Sequence, residues 1–464
     1  MDRVDINIKE GLVVTKDGCY QGSVSVKNGK IVAVGNAQAL SEAKETIDAN
    51  GYLILPGVVD AHFHSRVPGF PNREDFGTAS MAAAAGGVTT FLDMPNSIPP
   101  VNSIEVMHKK IENGEKESCI DFGIIAGAGS DNLEQIPLLA KEGVIGFKTF
   151  LHAPPQGREV EFKGLCAEHD GIVLEVMKRI ADCNAISFIH AENAQITQYL
   201  MDSFKLRGDC SVEAFFRSRP PIAEIESVSR TLCFAAETRV PLHLCHISTG
   251  GAMALISRAK EMGLNVSTET CPHYLVITEE EIKHLGPYAK NHPPVRSRED
   301  VEALWKFISD GTVDMVASDH CPYEAKEKEA GLKDIWLAPA GAPNVEWMLP
   351  LMLDQVNKGR LLIEKLVELL CENPARRFGV YPKKGIIQVG SDADIVVVDM
   401  KAWKKITWEQ MFTKGKATAR IYEGREVQGF PVMTMVRGKT IMKEHKMRDE
   451  IFGWGRFVRP DLKS

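Results

Sequence analysis

Short runs in which apolar and polar residues alternate dominate the chain from Val4 to about Tyr52. Asp5-Ile6-Asn7-Ile8, Gly11-Leu12-Val13-Val14, Ser23-Val24-Ser25-Val26 and Lys30-Ile31-Val32-Ala33-Val34 read as strands, and Asn28-Gly29 between the last two predicts a hairpin. The same texture returns near the other end, in Ala393-Asp394-Ile395-Val396-Val397-Val398-Asp399 and in Val432-Met433-Thr434-Met435-Val436-Arg437-Gly438-Lys439. Neither end has enough apolar surface for a core of its own. The two are expected to pack together as one small β-sandwich domain, 1–55 plus 380–445.

Between them the pattern changes to apolar runs separated by stretches with helical periodicity. Strands are predicted over 58–62, 88–93, 120–125, 145–150, 185–190, 242–246, 265–270 and 314–318. Amphipathic helices are predicted over 104–111, 133–141, 171–180, 225–236, 252–261 and 299–307, with further helices in 344–378. Eight strand–helix units in succession are the sequence form of an α/β architecture closed into a (β/α)8 TIM-like barrel, here spanning 56–379. A doubly wound open sheet lacks support, since no Gly-x-Gly-x-x-Gly follows an early strand. The last stretch, 446–464, reads as a basic, partly aromatic tail.

Composition narrows the function. The 464 residues carry a formal net charge of -7 and no long basic block, so nucleic acid is not an expected partner. The polar start Met1-Asp2-Arg3-Val4-Asp5 and the lack of any run of eighteen apolar residues predict neither signal peptide nor membrane span. Ten cysteines are scattered singly, without Cys-x-x-Cys, which favours reduced thiols in a cytoplasmic protein.

The catalytic end of such a barrel is the rim formed by the C-terminal ends of its strands. The first predicted strand ends in His62 with His64 two residues on, the fifth in His190, the sixth in His246, and the eighth is followed at once by Asp319-His320. The fourth carries Lys148 inside the apolar run Gly146-Phe147-Lys148-Thr149-Phe150. Singly these have plain explanations: carbonyl-bonded core histidines for His190 and His246, a helix cap for Asp319, a lysine reaching the rim or pairing with Asp319 for Lys148. Together, at the ends of five strands, they point to a metal centre. Desolvation favours a neutral amine at such a lysine, and a neutral amine can take up carbon dioxide to give a carbamate with two ligand oxygens.

The chain resembles the cyclic amidohydrolases of the amidohydrolase superfamily, which include hydantoinases, dihydropyrimidinases, allantoinases and dihydroorotases. The resemblance covers nearly the whole chain. It rests on Pro56-Gly57-Val58-Val59-Asp60-Ala61-His62-Phe63-His64, Ala84-Ala85-Gly86-Gly87-Val88-Thr89-Thr90, Asp93-Met94-Pro95-Asn96 and Gly146-Phe147-Lys148. It continues through His190-Ala191-Glu192, His246-Ile247-Ser248, Glu269-Thr270-Cys271-Pro272-His273-Tyr274-Leu275, Pro293-Pro294-Val295-Arg296, Ser318-Asp319-His320 and Gly390-Ser391-Asp392-Ala393-Asp394.

The resemblance implies two divalent ions, usually zinc: His62 and His64 on one, His190 and His246 on the other, N6-carboxylated Lys148 bridging and Asp319 completing the first site. It implies attack of a metal-bridging hydroxide on a ring carbonyl, with Asp319 as general base and then acid. It also implies a homo-oligomer, often a tetramer. Family members that serve as non-catalytic assembly proteins, a second class of function, generally lose metal ligands, and all six positions are filled here. A mononuclear deaminase on the same barrel is disfavoured by Lys148.

Substrate motifs point in two directions. His64-Ser65-Arg66-Val67-Pro68-Gly69 with Asn96 looks like the dihydroorotase pattern, where the matching arginine and asparagine hold a substrate carboxylate; the alternative is a surface Arg66 paired to Glu74 or Asp75. Against dihydroorotase, Thr270-Cys271-Pro272-His273-Tyr274-Leu275 is closer to allantoinases and hydantoinases, and His292 stands where dihydroorotases generally have asparagine. The run from Lys148 to Pro155 lacks the tyrosine of the dihydropyrimidinase pattern. Gly453-Trp454-Gly455-Arg456-Phe457-Val458 looks most like bacterial L-hydantoinases. The expectation is a five-membered ureide, allantoin or a 5-substituted hydantoin, with dihydroorotate as the alternative and Arg66, Asn96 and His292 as substrate-binding residues. His152, His273, His292 and His320 are expected near the rim, with hydrogen bonding to metal ligands as their role.

Overall fold

The structure, a computed structural model, describes residues 3–155 and 157–461. Eight parallel strands follow one another in sequence order: Val58–Phe63, Val88–Asp93, Asp121–Gly127, Gly146–Phe150, Ser187–His190, Leu242–Leu244, Val266–Thr270 and Met315–Val316. Each pairs with the next in chain order, as right-handed crossovers through helices require. The first strand meets the segment just beyond the last through a parallel bridge between Phe63 and His320, which closes the ring. Asp60 reinforces the seam: its carboxylate accepts the backbone N–H of Ser318 at 2.9 Å and the Ser318 hydroxyl at 2.5 Å.

These strands are buried on both faces because both are covered. The lumen is filled by Val59, Ala61, Leu92, Ile125, Phe188 and Met315, and plugged from below by Phe378 and Val458. The predicted helices are present, all but the second longer than predicted: Ile104–Glu117, Ile136–Glu142, Asp170–Asp182, Pro221–Thr238, Gly250–Glu261 and Arg298–Ser309; the start of the second, Leu133–Gln135, is a 3-10 turn. Phe76–Ala85 is an additional helix without amphipathic periodicity, because most of its circumference is buried. Its start is fixed by Asp75, whose carboxylate accepts the Thr78 N–H.

Both chain ends contribute to a nine-stranded sheet. Leu53–Pro56 joins them, lying parallel to Val4–Thr15 on one side and antiparallel to Ile395–Lys405 on the other. Ile8, Val13, Val24, Ile54, Ile395 and Met435 form its core.

The tail acquires a structural place. Phe122 donates its N–H to Arg456 O and accepts the N–H of Val458, so residues 456–458 pair alongside the N-terminal end of the third barrel strand. Here barrel, sheet and tail are joined by buried charge. Lys384, 1% exposed, lies 2.5 Å from Asp121, 2.9 Å from Asp392 and 2.7 Å from Asp394, and Arg437 also contacts Asp121. Removing one member leaves uncompensated charge in the interior. Lys384→Ala is therefore expected to cost about 3–5 kcal/mol, read as a lower midpoint in urea unfolding at pH 7.

Candidate metal centre

The rim gathers the residues that the sequence singles out. His62 is in the first strand, and His64 lies one residue beyond it. The Nε2 atoms of both stand 3.5 Å from Asp319 Oδ1, and ligand atoms of the three lie within 4.8 Å of one another. Across the rim, His190 Nδ1 is 3.1 Å from His246 Nε2, and the His62 and His246 rings are 5.0 Å apart. Lys148, 1% exposed, sits between these groups: its charge acts on His62, His64, His190, His246 and Asp319.

Backbone geometry at the strand ends is unusual. Arg66, His246 and Asp319 have φ of 64°, 36° and 45°, a region that costs non-glycine residues free energy and is tolerated where surrounding contacts enforce it. The enforcing contacts are present: the His246 N–H is held by Glu269 at 3.2 Å, and Ser65 before Arg66 is held by Asp93 through both its N–H and its hydroxyl.

Electrostatics make this a set of free lone pairs. Burial lowers His62 to about 4 and, helped by Arg66 for His64 and by His190 for His246, holds these two well below the usual imidazole range. His190 is lowered, chiefly by burial. Burial, with Glu269 nearby, raises Asp319 to about 8. His190 Nε2 faces Glu192 Oε2 at 3.3 Å; an ionised carboxylate only accepts, so the His190 lone pair is on Nδ1, toward His246. Among the described residues, His64 Nδ1 and His246 Nδ1 are buried without a hydrogen-bond partner.

Ligand atoms of His62, His64 and Asp319 within 4.8 Å of one another suit a divalent cation. A nitrogen pair 3.1 Å apart also suits two ligands each about 2.0–2.1 Å from one zinc ion. The donor set fits divalent metal.

Several of the plain alternatives fall. Among the described residues neither His190 nor His246 bonds a backbone carbonyl through its ring; they face each other, and His190 also faces Glu192. No helix starts at Asp319; the next one begins at Ala325. Lys148 neither reaches solvent nor pairs with Asp319, its Nζ lying 3.0 Å from Cys245 Sγ. Arg66 is not a surface residue: it is 2% exposed, 3.5 Å from Glu161 and 2.6 Å from Cys321 Sγ, with its guanidinium over the Tyr323 ring. Glu74 and Asp75 are engaged elsewhere, by Thr413 and Lys414.

Asn96 is buried with its Oδ1 unpartnered among the described residues, three positions beyond the Asp93 that anchors Ser65. His292 stacks on Phe215 at 5.8 Å, within electrostatic reach of His190.

The rim histidines do not have the role expected of them. His152 bonds Ala153 O, and His320 stacks on Phe63 and faces Glu74. His273 makes no ring hydrogen bond among the described residues. Carboxylates take that role instead: Glu192 toward His190, and Glu269 toward His62 at 2.5 Å. The motif containing Glu269 was visible in sequence, but nothing in its spacing says that its side chain points at a histidine two hundred residues earlier.

Chelator treatment followed by zinc titration should show the fit directly. Metal at about a hundredfold above Kd is expected to stabilise the fold by about 2.7 kcal/mol, read as a rise in Tm that chelator reverses.

Comparison with known proteins extends these observations. The sequence model of the amidohydrolase family matches residues 53–441. The chain is 37% identical to the allantoinase of Rubrobacter xylanophilus over 469 residues, covering 100% of this chain and 99% of that one. It is 35% identical to the dihydroorotase of Methanothermobacter thermautotrophicus over 436 residues, 94% of each. The solved L-hydantoinase (dihydropyrimidinase) from Arthrobacter aurescens superposes with a TM-score of 0.94 at 36% identity, covering 98% of this chain and 100% of that one.

Proposed function

The chain belongs to the amidohydrolase family, and on that premise we propose that it is a metal-dependent hydrolase opening a cyclic ureide, allantoin or a 5-substituted hydantoin. The observation that carries the chemistry is the gathering of four buried imidazoles and Asp319 around the buried Lys148.

His62, His64 and Asp319 would hold one zinc ion and His190 and His246 the other, with Lys148 bridging as its carbamate, formed when Nζ adds to carbon dioxide and loses a proton. The two ions, when bound, would supply Lewis acidity that makes water nucleophilic near neutral pH and polarises the amide carbonyl. The protein's own groups do the rest. Glu192 fixes the His190 tautomer. Asp319 takes the proton of the attacking water on its carboxylate and returns it to the ring nitrogen as the C–N bond breaks. Asn96, whose buried Oδ1 has no hydrogen-bond partner among the described residues, and His292 would bind the ring's polar edges.

The preference for an uncharged ring edge over dihydroorotate is supported by Arg66. Its guanidinium already faces a carboxylate, Glu161, which Arg158 grips at 2.6 and 2.8 Å. A substrate carboxylate would have to compete with Glu161 for that guanidinium. Arg66 then serves ring binding through its unpartnered buried Nε.

The ten free thiols are in keeping with a reducing, cytoplasmic compartment. Among the described residues no helix is long and apolar enough to cross a membrane. A homo-tetramer is carried by the resemblance alone.

A panel of allantoin, 5-substituted hydantoins, dihydrouracil and dihydroorotate, assayed with zinc and bicarbonate, tests the substrate; dihydroorotate as the fastest would reverse the ranking. Asp319→Asn is expected to retain bound metal while kcat falls by about 10²–10⁴-fold; near-wild-type turnover removes the aspartate from proton transfer. Glu161→Gln should raise kcat/KM for dihydroorotate relative to hydantoin by about tenfold.

A further inference from the structure

Glu269 lies in the seventh barrel strand, Val266–Thr270, and is fully buried. Its two oxygens face groups from two other strands. Oε1 stands 2.5 Å from His62 Nδ1 and accepts the His246 backbone N–H at 3.2 Å; Oε2 stands 3.1 Å from His243 Nε2. An ionised carboxylate can only accept, so the hydrogen in each imidazole contact belongs to the ring. His62 is thereby held as its Nδ1–H tautomer with the lone pair on Nε2, the atom that points toward Asp319. The same carboxylate pins His246 in its left-handed backbone conformation, with Nε2 toward His190.

We propose that Glu269 is the positioning residue for both halves of the metal centre: it sets the tautomer of His62 in one and the placement of His246 in the other. The inference rests on the metal reading given above. Outer carboxylates that fix a histidine's tautomer raise its strength as a ligand. What is particular here is that one side chain serves a ligand by its ring and another by its backbone. His62, Cys245 and Glu269 also gather within 4.8 Å. They do not form a third site, because both Glu269 oxygens are taken by N–H donors and the His62 lone pair faces the other way.

The test combines long-range 1H–15N correlation spectra of the metal-free, 15N-histidine-labelled protein with zinc affinity measured by chelator competition. His62 is assigned by loss of its signals in His62→Gln. Wild-type His62 is expected as the Nδ1–H tautomer. In Glu269→Ala that tautomer is no longer fixed and zinc affinity falls about 10–100-fold. Glu269→Gln should keep the tautomer, since its amide oxygen can still accept from His62 while its amide N–H donates to His243 Nε2. That ring would then carry its proton on Nδ1, which has Ser267 Oγ at 2.8 Å to receive it. The affinity of Glu269→Gln should fall between the other two. His62 protonated on Nε2 in the wild type overturns the inference, and that measurement needs no Glu269 variant to fold. Wild-type zinc uptake with Glu269→Ala unchanged in tautomer and affinity overturns it alone. A wild-type protein that takes up no zinc overturns the metal reading and this inference with it.

Discussion

Withdrawing four imidazoles, an amine and a carboxyl from water into one rim is the constraint on which the rest of this structure depends. Burial drives the imidazoles toward neutrality and the Asp319 carboxyl toward its protonated form. The protein does not satisfy these groups itself; His64 and His246 each keep a buried nitrogen without a partner among the described residues. A fold can sustain such an arrangement only if the surrounding geometry is rigid. The closed ring of strands supplies that rigidity, sealed by Asp60 on Ser318 and by the bridge between Phe63 and His320.

Much of this was legible in the sequence because the signals were local. Apolar runs of strand length recurred at βα spacing, and the ligand-type residues stood at their ends, where a parallel barrel puts its chemistry. Lys148 was conspicuous because a lysine has no reason to interrupt Gly146–Phe150 unless its amine is used. What was hidden was non-local or non-periodic. The Phe76–Ala85 helix shows no amphipathic stripe because nearly all of it is buried. The partner of His62 is a glutamate on the far side of the ring in sequence, and spacing cannot report that. For Arg66 the sequence left a surface arginine open beside a substrate-binding one because its neighbours in the chain are charged, whereas its neighbours in space, Glu161, Cys321 and Tyr323, come from two later loops.

Selectivity and catalysis thus come from different parts of the molecule. The strand ends hold the reacting apparatus and are fixed by buried carboxylates. The loops that follow the fourth and eighth strands surround Arg66, and in the proposed reading it is they that decide what charge a ring carries. Relatives named for allantoin, hydantoin and dihydroorotate each share over a third of their residues with this one chain, as expected where one fold hosts several chemistries.

The joining of both chain ends in one sheet has a consequence for how the protein is made. Leu53–Pro56 takes its antiparallel partner from Ile395–Val398, a segment synthesised more than three hundred residues later. At about 5–20 residues per second, its edge stands open for some tens of seconds on the ribosome. The base of the barrel waits longer still, for residues 456–458 to lie along Phe122. Biogenesis of this enzyme is a race between the arrival of its last seventy residues and the adhesion of an exposed strand edge to some other chain.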